Sequence, residues 1–373
     1  MSPLAISTLS RNYNESVASD LTEQLLLNIA RAANNEPILF TGISNIAATI
    51  NFQANVGATP ALTGNSGTSL MPLFGVGASE NPTVSIVPMQ GEEFTRRMLT
   101  PLSEDKLALL LRQNVDVDLL LRLAGLEFRT LENGNEEVYH NRPRNQEDYA
   151  AFRRMVLHLS TIQDQDHLFF EPLILTKRWQ LPIKQLSSNS FSTLEKEYDI
   201  SIDQGQEQYT LKKLQQSRNV ISNYNPAMLT ETERQQLDDE TQMLAPNDVL
   251  IDIRPGYPGG ELPIHGRLRL RSFSNILYFI GRTLSAEPEV DVSKDPRTRP
   301  VSENPVCVLA IRVTDDKPNN ALLAVNYKEQ YYSLVRDPAY PWDETAFRVL
   351  AQIYQMTMSE LPKGAVPTIT ISK

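Results

Sequence analysis

Four histidines, His140, His158, His167 and His265, are the side chains best suited to metal or acid–base work near neutral pH, and none lies three or four residues from another. His158 and His167 enclose Asp164 and Asp166, which makes the one cluster with acidic company. A helix-end histidine followed by a turn accounts for that cluster better than a metal site does. Ser103-Glu104-Asp105-Lys106 matches the S-x-x-K nucleophile pattern, but its companion motifs are absent and Ser103 reads as a helix N-cap. Pro255-Gly256-Tyr257-Pro258-Gly259-Gly260 is glycine-rich, yet its prolines remove amide donors and no lysine follows, so it reads as a turn and not a phosphate cradle. Cys307, between Val306 and Val308, reads as a buried thiol on an apolar strand. Arg267, Arg269 and Arg271 alternate along one strand face; an anion could bind there, but a solvated face meeting acidic partners is the default. Glu287, Glu289 and Asp291, like Asp315-Asp316-Lys317, read as surface charge. No triad, dyad or cofactor fingerprint emerges, so no enzyme, metal or cofactor is expected. An enzymatic reading would require His158 or His265 in a deep pocket with a carboxylate partner.

The elements that carry these residues belong to a chain of 373 residues with 41% hydrophobic and 21% charged residues, enough apolar content for sizeable cores. Thirty-five Lys+Arg against 45 Asp+Glu give a net charge of −10. An acidic chain without a basic run is a poor ligand for nucleic acid, whose affinity for protein comes mostly from phosphate neutralisation. A single cysteine excludes an internal disulfide and a thiolate metal cluster within one chain. Met1-Ser2-Pro3 leads into polar residues, so no signal peptide is expected there, and no run of 18 apolar residues reads as a spanning helix. A cytoplasmic protein and a mature exported one both fit.

The periodicity predicts a helix over 15–33, capped by Ser19 or Asp20 and ended by Asn34-Asn35-Glu36-Pro37. Helices are expected after Gly91, after Ser103, through Leu119–Leu123, and near Gln146–Leu159, with a polar interval at Glu132–Arg144. Short strands follow over Leu168–Ile202, then a strand and a solvated helix or linker over 203–247. A second unit is expected from Asp248: strands at Val249–Ile251, Leu268–Leu270, Val306–Val313, Leu322–Tyr327, Tyr331–Val335 and Thr368–Ile371, with helices at Ser274–Leu284 and Asp343–Met358. The fold class is therefore α+β, in domains 1–247 and 248–373, the first carrying an uncharged hairpin at about 48–79.

That uncharged segment is the strongest anomaly. From Pro37 through Ser79, 43 consecutive residues include no Asp, Glu, Lys, Arg or His, and after Glu80 the chain stays uncharged through Gly91. Random placement would give such a run about once in a hundred chains of this composition. Ala48–Ala58 alternates, with Ile50, Phe52, Ala54 and Val56 on one face and Asn51, Gln53 and Asn55 on the other. Leu70–Ser79 ends with Phe74, Val76 and Ala78 on one face. Two strands joined by a loop at 59–69 allow three readings: a hairpin of a soluble domain, a transmembrane hairpin, or a surface buried between subunits. Two strands cannot close a barrel, so the transmembrane reading requires several subunits to share one.

Two stretches, Glu23-Gln24-Leu25-Leu26-Leu27-Asn28-Ile29-Ala30-Arg31 and Asn81-Pro82-Thr83-Val84-Ser85-Ile86-Val87-Pro88 running into Gln90-Gly91-Glu92-Glu93-Phe94, resemble an uncharacterised family of Gram-negative bacterial envelope proteins, many of them predicted outer-membrane lipoproteins. Ser274–Ile371 fits the same pattern loosely. The resemblance implies an exported protein of the outer membrane or periplasm with a lipid-modified N-terminal cysteine, where this sequence has Met1. It supplies no activity and no catalytic residues. The expectation is a homo-oligomeric envelope protein, a ring or pore whose hairpins form a shared β-barrel, with self-assembly or membrane contact through Ile50, Phe52, Ala54, Val56, Phe74, Val76 and Ala78. Its partners would be further copies of itself, outer-membrane lipid and other envelope proteins. The alternative is a soluble periplasmic scaffold or binding module that self-associates through the same segment.

Overall fold

The computed structural model describes residues 3–60, 70–132, 135–182, 191, 193–203 and 208–358. Helix α1 (Pro3–Ala33) precedes strands β1 (Phe40–Pro60) and β2 (Leu70–Met89). Three short helices follow, α2 (Glu92–Leu99), α3 (Glu104–Leu111) and α4 (Val117–Ala124). Then come β3 (Gly125–Glu132), β4 (Asn135–His140), α5 (Gln146–Gln163), β5 (Phe169–Pro182), β6 (Asp199–Asp203), β7 (Gln208–Ser222) and α6 (Glu231–Gln242). The remainder is β8 (Asp248–Ile253), β9 (Ile264–Leu270), α7 (Phe273–Ser285), β10 (Arg312–Thr314), β11 (Ala321–Tyr327), β12 (Gln330–Val335) and α8 (Trp342–Met358). Eight helices and three mostly antiparallel sheets among the described residues make the class α+β.

The chain forms two compact units. Met1–Gln24 and Leu39–Thr95 belong to the smaller, which holds the two-stranded ribbon β1–β2. There the Gln24 side-chain amide behaves like a ladder residue. It accepts from the Thr41 amide at 2.7 Å and donates to the Thr41 carbonyl at 3.1 Å. Phe40 and Phe94 meet edge-on at 6.5 Å. α1 begins well before the expected Ser19–Asp20 cap. In mid-helix those two side chains bond one turn on, Ser19 to Glu23 and Gln24 to Asp20, which suits a helix interior.

Leu25–Ile38 and Arg96–Thr357 make the larger unit. Its main sheet has the order β4-β3-β9-β8-β7-β5, with β6 also on β7; β7–β8 is the parallel pair. The boundary expected at 247/248 falls between β7 and β8, which hydrogen bond to each other as neighbours in this sheet. One side of the sheet buries Leu173, Val220, Tyr224, Leu229, Leu237 and Leu250, and α6 starts there with a capping box between Thr230 and Glu233. α4 is buried on every face, including Asp118 and Arg122, and α5 buries Tyr149, Phe152, Val156, Leu157 and Ile162. α7 approaches the end of α1 through Gly281, where an added Cβ would sit 2.6 Å from the backbone of Ala32 and Ala33. Gly281→Ala should therefore cost about 1–3 kcal/mol by overpacking. A chemical-denaturation midpoint equal to that of the unsubstituted protein would refute this contact.

Two elements differ from the sequence expectation. The polar interval at Glu132–Arg144 contains β4, and β3 precedes it. β4 is mostly polar, and β3 sets Leu126, Phe128 and Thr130 against Glu127 and Arg129. Phe128 is buried against Phe152 at 5.1 Å, while the charged face is held by cross-strand pairs of Glu127 with His140 and Arg269 and of Arg129 with Glu136. Conversely, Val306–Ile311 is not a strand, and β10 covers Arg312–Thr314 alone. Its backbone groups are taken by side chains instead: Arg122 holds the Pro305 and Val306 carbonyls, Glu289 accepts from the Val308 amide, and the Trp342 indole donates to the Val308 carbonyl. Cys307 lies in this irregular segment, half-buried, with its thiol pushed up by burial and by Glu289. The strand expected at Thr368–Ile371 lies outside the described residues.

Candidate functional site

Three polar constellations in the larger unit and the ribbon in the smaller are the places where chemistry or recognition could reside. The first is a buried ion network. Arg122, from α4, donates to Asp118 at 3.3 Å, to Glu289 at 2.7 Å and to the Pro305 and Val306 carbonyls. Tyr149 donates to the same Glu289 oxygen at 2.7 Å, and Arg153 pairs with Asp118 while reaching Asn304 at 2.8 Å. Glu289 was expected at the surface; it is 6% exposed because Arg122, Tyr149 and the Val308 amide satisfy its charge. Neighbouring Asp116 is pushed up to about 6 by burial and by Asp118. The network binds α4 and α5 to the 289–308 segment and exposes no reactive atom, so its role is structural.

The second constellation surrounds His265. Its Nδ1 meets Asp252 and its Nε2 meets Glu240, each at 3.1 Å, so both ring nitrogens donate and the imidazolium is favoured. The hydrogen bond it donates to Asp252 raises its pKa ahead of the opposing burial. Asp252 also accepts from Tyr224 and from Arg254, which stacks over the Tyr224 ring. His265 is half-exposed, and a base locked in its protonated form is poorly placed to accept a proton. His158 takes the opposite state: Nε2 donates to the Gly259 carbonyl at 2.7 Å, Nδ1 accepts from Thr298 at 3.1 Å, and burial lowers its pKa.

A pH prediction follows from these directions. His265 contributes stability that is complete below the unfolded histidine value, about 6.5, and is lost as pH rises through its higher folded value. His158, depressed by burial, contributes stability present above about 6.5 and lost as pH falls below it through the lower folded value. Melting temperature should thus decline on both sides, and His265→Asn should flatten the alkaline limb alone. An unaltered alkaline limb in that variant would refute the ion-pair assignment.

The third constellation is a cleft. The arginine stripe divides at its end. Arg267 pairs with Glu136, and Arg269 pairs with Asp248 at 2.9 Å and Glu127 at 3.3 Å, so these two meet acidic partners on the sheet. Arg271 lies one residue past β9 and is buried beneath α7, where it reaches the floor of a cleft between α7 and the segment leading into α5. An outer chamber of about 670 Å³ is lined by Arg142, Arg144 and Arg282, and an inner one of about 110 Å³ by Arg142, Arg271 and Arg282.

No known protein family, curated protein or solved structure matches this chain. The reading of function therefore rests on its own residues.

The seven residues expected to mediate assembly all lie in the ribbon. Its register sets Phe52 opposite Ala78, Ala54 opposite Val76 and Val56 opposite Phe74, so by strand parity the two apolar sets share one face. Asn51, Gln53 and Asn55 fall on the other face with Ser79, Gly77 and Gly75. Ile50 sits opposite Glu80, which ends the uncharged part of β2. The strands also run beyond the expected bounds, to Phe40 and Met89. The tip residues 61–69 lie outside the described residues. Arg271 was named in the stripe, but Arg142, Arg144 and Arg282 were missed. They come from two distant segments, and the one sequence signal was the spacing Arg142-Pro143-Arg144 before an α5 start.

Proposed function

We propose that the protein is a self-assembling component of a bacterial envelope whose β1–β2 ribbons associate between copies and enter or approach the outer membrane. The observation that carries this reading is the ribbon's register: sixteen consecutive pairs from Asn45 to Pro60, beyond a shift between Ile43 and Asn45, with the apolar sets on one face and no third strand among the described residues. Two-stranded sheets are marginal in water, and long open edges template pairing with another chain. From Leu70 to Ser79, β2 offers ten uncharged residues before Glu80, and a barrel strand needs about 9–11 to cross a bilayer. A closed ring of ribbons would satisfy every edge, which hydrocarbon requires. Glu80 on the apolar face then marks the headgroup boundary.

A second reading keeps the assembly and removes the lipid: the ribbons pack protein against protein in a periplasmic scaffold. Protein packing would give Glu80 a polar partner directly, where the membrane form must place it at the headgroups. Light scattering with and without mild detergent tests both. A discrete particle that needs detergent supports the membrane form, the same particle in plain buffer supports the scaffold, and a 42.0 kDa monomer in both conditions overturns self-assembly.

A further inference from the structure

We propose that the arginine cleft beside α7 binds a phosphoryl group, as a phosphomonoester or inorganic phosphate. The site is built at several levels. Arg271 is 2% exposed, and its guanidinium donates to three backbone carbonyls, those of Arg122, Leu123 and Asn141. No carboxylate touches it among the described residues, and its Nε has no hydrogen-bond partner there. Burial pulls its pKa down to about 9, so it keeps its charge at neutral pH. Its guanidinium also stacks over the Phe279 ring at 3.9 Å, so carbonyls and a ring face hold it, and no counter-charge neutralises it among the described residues.

The walls supply the rest. Arg142, Arg144 and Arg282 are exposed, and no side-chain hydrogen bond or ion pair engages any of them among the described residues. This sets them apart from Arg122, Arg153, Arg218, Arg254, Arg267 and Arg269, each of which has an acidic partner. Arg142 lies close enough for its charge to depress Arg271 further. Such a gathering of like charges costs free energy in the empty protein and favours an anion between them. Four arginines face two glutamates, Glu147 and Glu287, so two positive charges are unmatched, as a phosphate dianion requires. Asn275, from α7, adds a neutral side-chain amide to the inner chamber, while the Thr283 hydroxyl there is spent on the Ile280 carbonyl at 2.7 Å. Guanidinium forks match phosphate oxygens bidentately, and an outer chamber of about 670 Å³ is the size of a small-molecule site.

The experiment is titration calorimetry at fixed ionic strength with inorganic phosphate. A parallel arm measures sedimentation with phosphatidylcholine vesicles with and without phosphatidic acid. The variants are Arg142→Ala/Arg282→Ala, whose side chains make no contact the fold needs, and Glu287→Ala. Saturable phosphate binding should weaken about tenfold or more in the double variant and tighten in Glu287→Ala. If free phosphate binds and vesicles do not, the source is a soluble phosphate or phosphomonoester. If phosphatidic-acid vesicles bind, and lose binding in the double variant, the source is a lipid headgroup. Binding of neither probe, or binding unchanged in the double variant, overturns the proposal. The outcome is independent of assembly through the ribbon, which light scattering reads separately.

Discussion

Glu289→Ala should lower the stability of the larger unit by about 3–5 kcal/mol, the range found when one partner of a buried ion pair is removed. The substitution strands Arg122, whose side chain is fully buried, with Asp118 at 3.3 Å as its remaining carboxylate. It also frees the Tyr149 hydroxyl and the Val308 amide, both of which now need partners in an interior that offers none. Glu289→Gln keeps the shape but turns one acceptor into a donor facing Arg122, Tyr149 or the Val308 amide, so it should lose nearly as much. For a unit of this size that is a fall of about 6–20 °C in melting temperature. Glu287→Ala, two residues away at the rim of the cleft, should stay within about 0.5 kcal/mol. Equal denaturation midpoints for Glu289→Ala and Glu287→Ala would show that the network does not hold the 289–308 segment to α4 and α5.

The second large effect concerns the ribbon. A lysine on the lipid-facing side of a barrel strand costs about 2–4 kcal/mol near the bilayer midplane, and a ring repeats that cost in every subunit. Phe52→Lys or Val56→Lys should therefore abolish membrane association if the apolar face meets lipid, with the particle otherwise able to form. The same substitutions should dissolve the particle itself if that face packs protein on protein, where an unpaired buried charge is equally unwelcome. Asn51→Lys and Asn55→Lys fall on the opposite face by parity and should be tolerated, because the interior of a large barrel is polar. Co-flotation with lipid vesicles, run beside light scattering, separates these results. If all four variants assemble and float like the parent protein, the ribbon is neither membrane strand nor interface.

Helices and strands with an apolar period were legible locally. α7 was expected at 274–284 and spans Phe273–Ser285; α8 was expected at 343–358 and spans Trp342–Met358. In both, the side chains that make the pattern are also the ones that bury, so no distant partner need be known. The α+β class follows from those elements. The uncharged segment and its alternation were equally local, because strand parity needs nothing beyond neighbouring residues.

Charged residues were a different matter. Glu287, Glu289 and Asp291 have one spacing and one polar context, yet Glu289 alone is drawn inside by Arg122 and Tyr149, 167 and 140 positions away. A carboxylate enters a core only when counter-charge and donors are already in place, and the chain order does not announce which residues those will be. β4 and the charged face of β3 were hidden for a related reason: Glu127 pairs with Arg269 of β9 and Arg129 with Glu136 of β4, partners that only the sheet brings together, and the short apolar alternation at Leu126 and Phe128 was overlooked. Asn133-Gly134, a favoured two-residue hairpin sequence between the two runs, was the signal available for them. Arg271 belonged to a visible stripe, but its burial beneath α7 and its meeting with Arg142 and Arg282 arise from the packing of three separate segments. The sequence alone determined which segments would be regular and where charge was missing. Tertiary structure decided which charges were paired, which were left without a partner, and hence where an anion could bind, because a charge's environment is set by residues that the fold brings to it.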